Sequence, residues 1–306
     1  MVEFTLIVPT KMGVRERISP SAIPSKGPSA VTSSVYVGLK RLDCRFSVKL
    51  PRDILAAGVR PQEKLLFFGH GECSLQLIEL LRINVQVRAP LIIGPNCELN
   101  SDVKAFLIEN PDAYTGVVLP TRELLNDRSE SKIKYIIWAA GVDEKYWKPR
   151  NMERRRVSIY KKGLMSEFDE LLIDLIGSRL NLPIDVIKYG DYSRRQYRHL
   201  LCQSKFLIWL GVKETQGLAL CEAWSMNVPT IIRISQSDES HKLNRSMAPL
   251  LSPQCGTYFD NVSDVQSAFK EIEIFMANLE NYEPRNWILN ELTCKMQAEK
   301  LLQLLT

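Results

Sequence analysis

The sequence predicts an α/β protein made of two doubly wound, Rossmann-like domains, each with a parallel sheet. Three observations predict it. Short apolar runs of strand length alternate with helical or loop spacers in both halves of the chain, one polar and basic stretch near residue 150 interrupts the alternation, and 306 residues are enough for a core on each side of that stretch. Runs that are apolar throughout belong to strands covered on both faces, as parallel strands are.

Residues 4–9 give the first strand, and 11–28, rich in Pro, Ser and Gly, a long loop of the kind that is usually functional or mobile. Gly27-Pro28-Ser29 leads into a helix over 30–42 whose apolar positions suit packing on a sheet, with Ser29 or Ser25 near its cap. Strands follow at 46–50 and 64–68, the latter running into Gly69-His70-Gly71. His70 thus stands at a strand's carboxyl end, where open α/β sheets bind ligands; it either hydrogen-bonds a ligand or caps the helix expected at 73–82. Strands at 89–93, 115–119 and 135–139 complete this half, and 149–156 reads as the interdomain linker.

The second half repeats the pattern from a strand at 157–160, followed at once by the cations of Lys161-Lys162-Gly163. A helix at 167–180, a strand at 185–189, the loop Gly190-Asp191-Tyr192 and a helix at 194–203 lead to a buried strand at 206–210. Then comes the stretch richest in chemistry, ETQGLALCEAWSMNVPT, residues 214–230: an acidic loop and a helix over 218–226, before a strand at 230–234. A short strand at 256–259 and a helix at 284–305, apolar at Trp287, Leu289, Leu292, Met296, Ala298, Leu301 and Leu302, end the chain.

A helix that starts near Gly217 after a parallel strand aims its free N–H groups and positive dipole end at the carboxyl edge of the sheet, where a phosphate is the usual occupant. Gly217 lacks a Cβ, so a ligand can approach the backbone closely. Glu214, in the loop, can accept hydrogen bonds from hydroxyls on one side of the phosphate. Glu222, about one and a half turns into the helix at ~3.6 residues per turn, can reach hydroxyls on the other. Carboxylates are poor phosphate ligands and good polyol ligands, so the arrangement asks for a sugar, a phosphate and another sugar in a row.

The same stretch resembles the acidic signature of retaining GT-B glycosyltransferases of the group 1 type, E-G-F-G-L-x-x-x-E-A-x-x-x-G-x-P. The resemblance implies two domains facing a cleft: an acceptor-side domain at 1–149, a donor domain at 150–283, and a C-terminal helix at 284–306 that crosses back to the first. It further implies that Glu214 contacts the donor sugar, that Gly217 with Leu218 holds the diphosphate, and that Glu222 binds the ribose. Thr215 and Gln216 stand where the family has Gly and Phe, which bears on donor-sugar preference; Asn227 stands for a Gly, a mild change because Asn tolerates a left-handed helix end. Ala140-Gly141-Val142-Asp143 with Trp147-Lys148-Pro149 is similar to the A-G-V-D…F-x-P segment that ends the family's first domain. By the same likeness Lys161 and Lys162 are candidates for the cations on the diphosphate, although the family spaces its pair more widely. The resemblance also implies that Gly190, Asp191 and Tyr192 border the nucleobase, and the glycine-led loop at Gly27 is similar to one that in the family lies near donor phosphate and acceptor. The co-substrate implied is a nucleoside-diphosphate sugar, with no separate cofactor, a glycan or lipid-linked acceptor, a role in polysaccharide biosynthesis, and retention of anomeric configuration.

Composition narrows the field. With 45% apolar and 25% charged residues the chain reads as soluble and globular. No apolar run approaches the ~18–20 residues that span a bilayer, and the N-terminus does not resemble a signal peptide, so a cytoplasmic protein is expected. Seven cysteines fall singly, without a C-x-x-C pair. His199 and Cys202 share a helix face but lack further partners, and no Asp-x-Asp pair occurs, so no metal is expected. The net charge of +5 resides in residues 1–50, which hold eight Lys or Arg against three acids. That segment suits an anionic acceptor or peripheral contact with a membrane surface, or is a solvated basic face. No nucleic-acid partner is indicated.

Other enzyme classes fit less well. A dinucleotide oxidoreductase would carry G-x-G-x-x-G after the first strand, where Lys11-Met12-Gly13 stands, and a P-loop kinase would carry G-x-x-x-x-G-K-[ST]. A nonhydrolysing nucleotide-sugar epimerase and a non-catalytic sugar-nucleotide or glycan-binding protein remain as alternatives.

Overall fold

A computed structural model describes residues 4–8, 27–68, 74–95, 99–126, 132–163, 166–211, 214–234, 247–259 and 264–305. The chain divides into two compact units: Val142–Glu291 makes up the body of one, and the other joins the preceding residues to the terminal stretch Leu292–Thr306.

In the first unit the order is β1 (Phe4–Ile7), α1 (Gly27–Arg41), β2 (Phe46–Lys49), α2 (Pro51–Ala57), β3 (Lys64–Phe67), α3 (Ser74–Val87), β4 (Leu91–Ile93), α4 (Ser101–Glu109), β5 (Gly116–Leu119), α5 (Glu123–Asn126) and β6 (Tyr135–Ile137). The sheet runs β2-β1-β3-β4-β5-β6 with every pairing parallel. Apolar strands such as Leu91–Ile93, buried along their whole length, pack under Leu77, Leu80 and Leu81 of α3 and Val103 and Leu107 of α4.

The second unit contains β7 (Arg156–Lys161), α6 (Glu167–Arg179), β8 (Ile184–Lys188), α7 (Arg194–Gln203), β9 (Ser204–Leu210), α8 (Leu218–Ser225), β10 (Thr230–Arg233), β11 (Gly256–Phe259), α9 (Val265–Ala277) and α10 (Pro284–Glu291). Its parallel sheet has the order β11-β10-β9-β7-β8, so in both units the second strand lies on one side of the first and the rest on the other. Side chains alternate across the strands. Val157, Ile159, Phe206 and Ile208 face one way and form an apolar core with Leu172 and Ile176 of α6 and Phe269 and Ile272 of α9. Tyr160 and Trp209, of opposite parity, stack with ring centroids 4.2 Å apart and planes 7° from parallel.

The single terminal helix expected over 284–305 is two helices. Thr293 stops the first and starts the second, α11 (Cys294–Gln303), its hydroxyl accepting from the Met296 N–H at 3.3 Å. α11 belongs to the first unit and lies against α1. A Cβ on Gly38 of α1 would fall 2.2 Å from the Cys294 carbonyl oxygen and 2.6 Å from Ala298 Cβ, so only glycine permits that approach. Trp138 Nε1 donates to the Gln297 carbonyl at 2.9 Å. Among the described residues no helix is long and apolar enough to cross a membrane.

Candidate functional site

In the second sheet the chain leaves β7 toward β8 on one side and returns to β9 on the other. The loops after β7 and β9 therefore diverge, opening a crevice at the carboxyl edge. Two candidate residues meet there. Lys162, just after β7, donates from Nζ to Glu214 Oε1, beyond β9, at 2.6 Å. Their side chains are 22% and 11% exposed, enough to be reached and little enough to be strongly coupled. Burial pushes the Glu214 carboxyl above its ordinary pKa, with the charge and hydrogen bond of Lys162 opposing the shift. The Lys162 ammonium also lies 4.8 Å from the ring centroid of Tyr189, a 53% exposed residue at the carboxyl end of β8. Lys161 ends β7 with the parity of Val157 and Ile159, so strand alternation sends its side chain toward the opposite face of the sheet. Of the two lysines, Lys162 is the one brought to Glu214.

Helix α8 is held at both ends. At its start Gly217 takes φ 76° and ψ 52°, left-handed values that glycine adopts without strain, and the Cys221 N–H bonds the Gly217 carbonyl at 3.0 Å. Asn227 follows the helix with φ 57°, the left-handed stop anticipated for it. Two arginines that sequence reasoning missed close this end. Arg154 donates to the carbonyls of Met226 and Asn227 at 2.5 Å each, and Arg285 to those of Ser225 at 2.5 Å and Trp147 at 3.1 Å. Cations on the last carbonyls complement the helix dipole and leave its positive end at Gly217.

Glu222, one turn into α8, is half-buried. Burial raises the Tyr192 phenol above its ordinary pKa, and the nearby charges of Glu222 and Glu214 raise it further, against a lowering by its hydrogen bond to Tyr160. Tyr192 thus lies within electrostatic reach of both carboxylates. The Tyr192 hydroxyl lies 2.6 Å from that of Tyr160, and its ring leans on Tyr197 at 4.9 Å. Tyr197 in turn donates to the Ala219 carbonyl of α8 at 2.8 Å. Tyr192 is thus half-buried against the aromatic layer, while Tyr189 is 53% exposed.

No family model matches the chain, and no curated protein matches it in sequence. Solved structures do match. HepE of Anabaena, crystallised with UDP and glucose, is 8% identical with a TM-score of 0.58 over 99% of this chain and 98% of that one. Sucrose-phosphate synthase of Thermosynechococcus elongatus is 10% identical, TM-score 0.55, over 99% and 98%. A mutant of S. aureus TarM in complex with Fondaparinux, alpha-GlcNAc-glycerol and UDP is 13% identical, TM-score 0.55, over 90% of this chain and 59% of that one.

The chain has the GT-B glycosyltransferase fold. It spans nearly all of HepE and of the synthase, and less than two thirds of TarM.

On this GT-B scaffold Gln216 is buried, Thr215 half-buried, and Leu218 is the first residue of α8. Gly190 turns the chain after β8 at φ 89° with nothing within 4 Å of a would-be Cβ. Asp191 and Tyr192 then line a cavity of about 370 Å³ with Val186, Lys188, Gln196 and His199. Gly27 opens α1 of the first unit, and His70 lies outside the described residues. His199 Nε2 lies 2.9 Å from Gln203 Nε2, and no group of three or more His, Cys, Asp or Glu that could hold a metal occurs among the described residues.

Proposed function

We propose that the protein transfers a hexosyl group from a nucleoside-diphosphate sugar to a glycan, lipid-linked or other acceptor, with retention of configuration and without a divalent metal. The observation that carries this reading is the Lys162–Glu214 pair at the switch point of the second sheet, in front of the glycine-led start of α8. Departure of the nucleoside diphosphate puts extra negative charge on its phosphates. Lys162 and the N–H groups at the head of α8 stabilise that charge more than the ground state, which lowers the barrier and supplies the role a metal would otherwise fill. Glu214 holds donor-sugar hydroxyls, Glu222 the ribose hydroxyls, and Gly190, Asp191 and Tyr192 border the base. The GT-B fold supports the reading, as do the ligands of two structural neighbours: UDP and glucose in HepE, and UDP in TarM.

The test is incubation with radiolabelled UDP-, GDP- and ADP-sugars, with and without glycan extracts. Label should pass to the acceptor, Glu214→Ala should lose most of kcat, and EDTA should leave turnover intact. Epimerised nucleotide sugar without acceptor would make the protein an epimerase, and binding without turnover a non-catalytic binder. Strict dependence on Mn²⁺ or Mg²⁺ would remove the metal-independent mechanism.

A further inference from the structure

We propose that Glu214 and the phosphate of a ligand are alternative partners of Lys162, so that the pair selects ligands presenting an anionic group and a hydroxyl side by side. The proposal rests on the nucleotide-sugar reading of the site and adds a selection rule to it.

Glu214 is 11% exposed, and its carboxylate is compensated by Lys162 at 2.6 Å. Among the described residues its charge also acts on Tyr160 of β7, Tyr192 after β8 and Cys221 of α8, and none of these three is a cation. A phosphate that draws Lys162 to itself therefore leaves Glu214 desolvated and under-compensated, which is costly for a carboxylate already pushed toward its neutral form by burial. A bare anion suffers this penalty in full. A ligand whose phosphate carries a sugar offers Glu214 a hydroxyl donor in exchange for the lysine, and the penalty is relieved.

Lys162 has the means to change partner without leaving the edge. Its ammonium lies 4.8 Å from the centroid of the Tyr189 ring, a contact with no stake in Glu214. An ammonium carries three donors, so those not aimed at Glu214 can reach a phosphate before the ion pair opens.

The experiment is isothermal titration of wild type and Glu214→Gln with UDP and UDP-glucose, or with the GDP or ADP counterparts if those are what the wild type binds. The amide keeps the shape and removes the competing charge. Glu214→Gln should bind the nucleoside diphosphate about fivefold to tenfold more tightly than wild type does. Its affinity for the nucleotide sugar should not rise, so the preference for the sugar conjugate narrows. In a Lys162→Met background the gain from Glu214→Gln should vanish. A Glu214→Gln protein that melts like wild type but binds the diphosphate no more tightly overturns the exchange and leaves the donor reading standing. A gain that persists without Lys162 overturns it too. A wild type that binds neither the diphosphates nor their sugar conjugates overturns both.

Discussion

Leu220 Cδ1 comes within 3.2 Å of the point where a Cβ on Gly217 would lie. The glycine thus meets two demands at once, a left-handed backbone and a close neighbour. Gly217→Ala should cost ~1–2 kcal/mol from the backbone alone, lowering the melting temperature by ~2–4 °C per kcal/mol for a domain of this size. It should also weaken nucleotide binding, because the first N–H groups of α8 rotate with it. Thermal melts and titration of the variant check both, and an alanine variant as stable and as tight as wild type would detach Gly217 from the site.

Glu222, half-buried on α8, is the residue proposed above to take ribose hydroxyls. Glu222→Gln keeps its shape and removes a charge-assisted acceptor worth ~1.5–3 kcal/mol, so nucleoside diphosphate affinity should fall about tenfold to a hundredfold. Unchanged binding of the free diphosphate would refute the assignment.

Glu63, in the first unit, supplies a pH dependence. Its buried carboxylate accepts from the Thr5 hydroxyl at 2.5 Å and from Lys49 Nζ at 3.3 Å. Burial pulls its pKa up, but the Thr5 hydrogen bond and the Lys49 charge together outweigh this and hold it below the ordinary carboxylate value. The folded value lies below the unfolded one, so the contribution to stability is present above the unfolded pKa of ~4.3 and is lost as pH falls through the folded value. Glu63→Gln should be destabilised by ~1–3 kcal/mol at neutral pH, with the gap to wild type closing in acid. Denaturant melts at neutral and acid pH measure this, and a gap that stays constant would rule out the carboxylate as its source.

Burial pushes the Cys255 thiol up to about 12 and the Cys221 thiol well above its ordinary value. Neither should be labelled by iodoacetamide in the folded protein near pH 8, because the thiolate is the nucleophile. Both should react after denaturation. Mass spectrometry of the native and unfolded labelling patterns decides, and rapid native labelling of either would mean that its helix or turn opens readily.

Strands were the most legible part of the fold, because a parallel strand covered on both faces leaves an unbroken apolar run; Phe206 to Leu210 is one. Two helices that a side-chain cap starts escaped notice. Asn100 accepts from the Val103 N–H at 2.9 Å to start α4, and Asp264 from the Ser267 N–H at 2.9 Å to start α9. The break at Thr293 was hidden because the apolar spacing continues through it. At the site, sequence order delivered Lys162, Glu214 and Gly217 to one sheet edge. The choice between Lys161 and Lys162 depends on strand parity at a boundary that propensity does not fix. Which tyrosine stays exposed, Tyr189 or Tyr192, depends on Tyr160 and Tyr197, whose positions follow from tertiary packing. Arg154 and Arg285 close α8 from 72 and 60 residues away and leave no local trace.

The seat of α11 on α1 has a consequence for the order in which the chain is completed during synthesis. Ser34 and Cys294, whose side chains touch at 3.6 Å, are 260 residues apart. Everything in the second unit from Val142 to Glu291 leaves the ribosome before the helix that covers Gly38 exists. The unit translated later is thus the one able to close its core first, and α1 stays uncovered along that face until α11 has been synthesised.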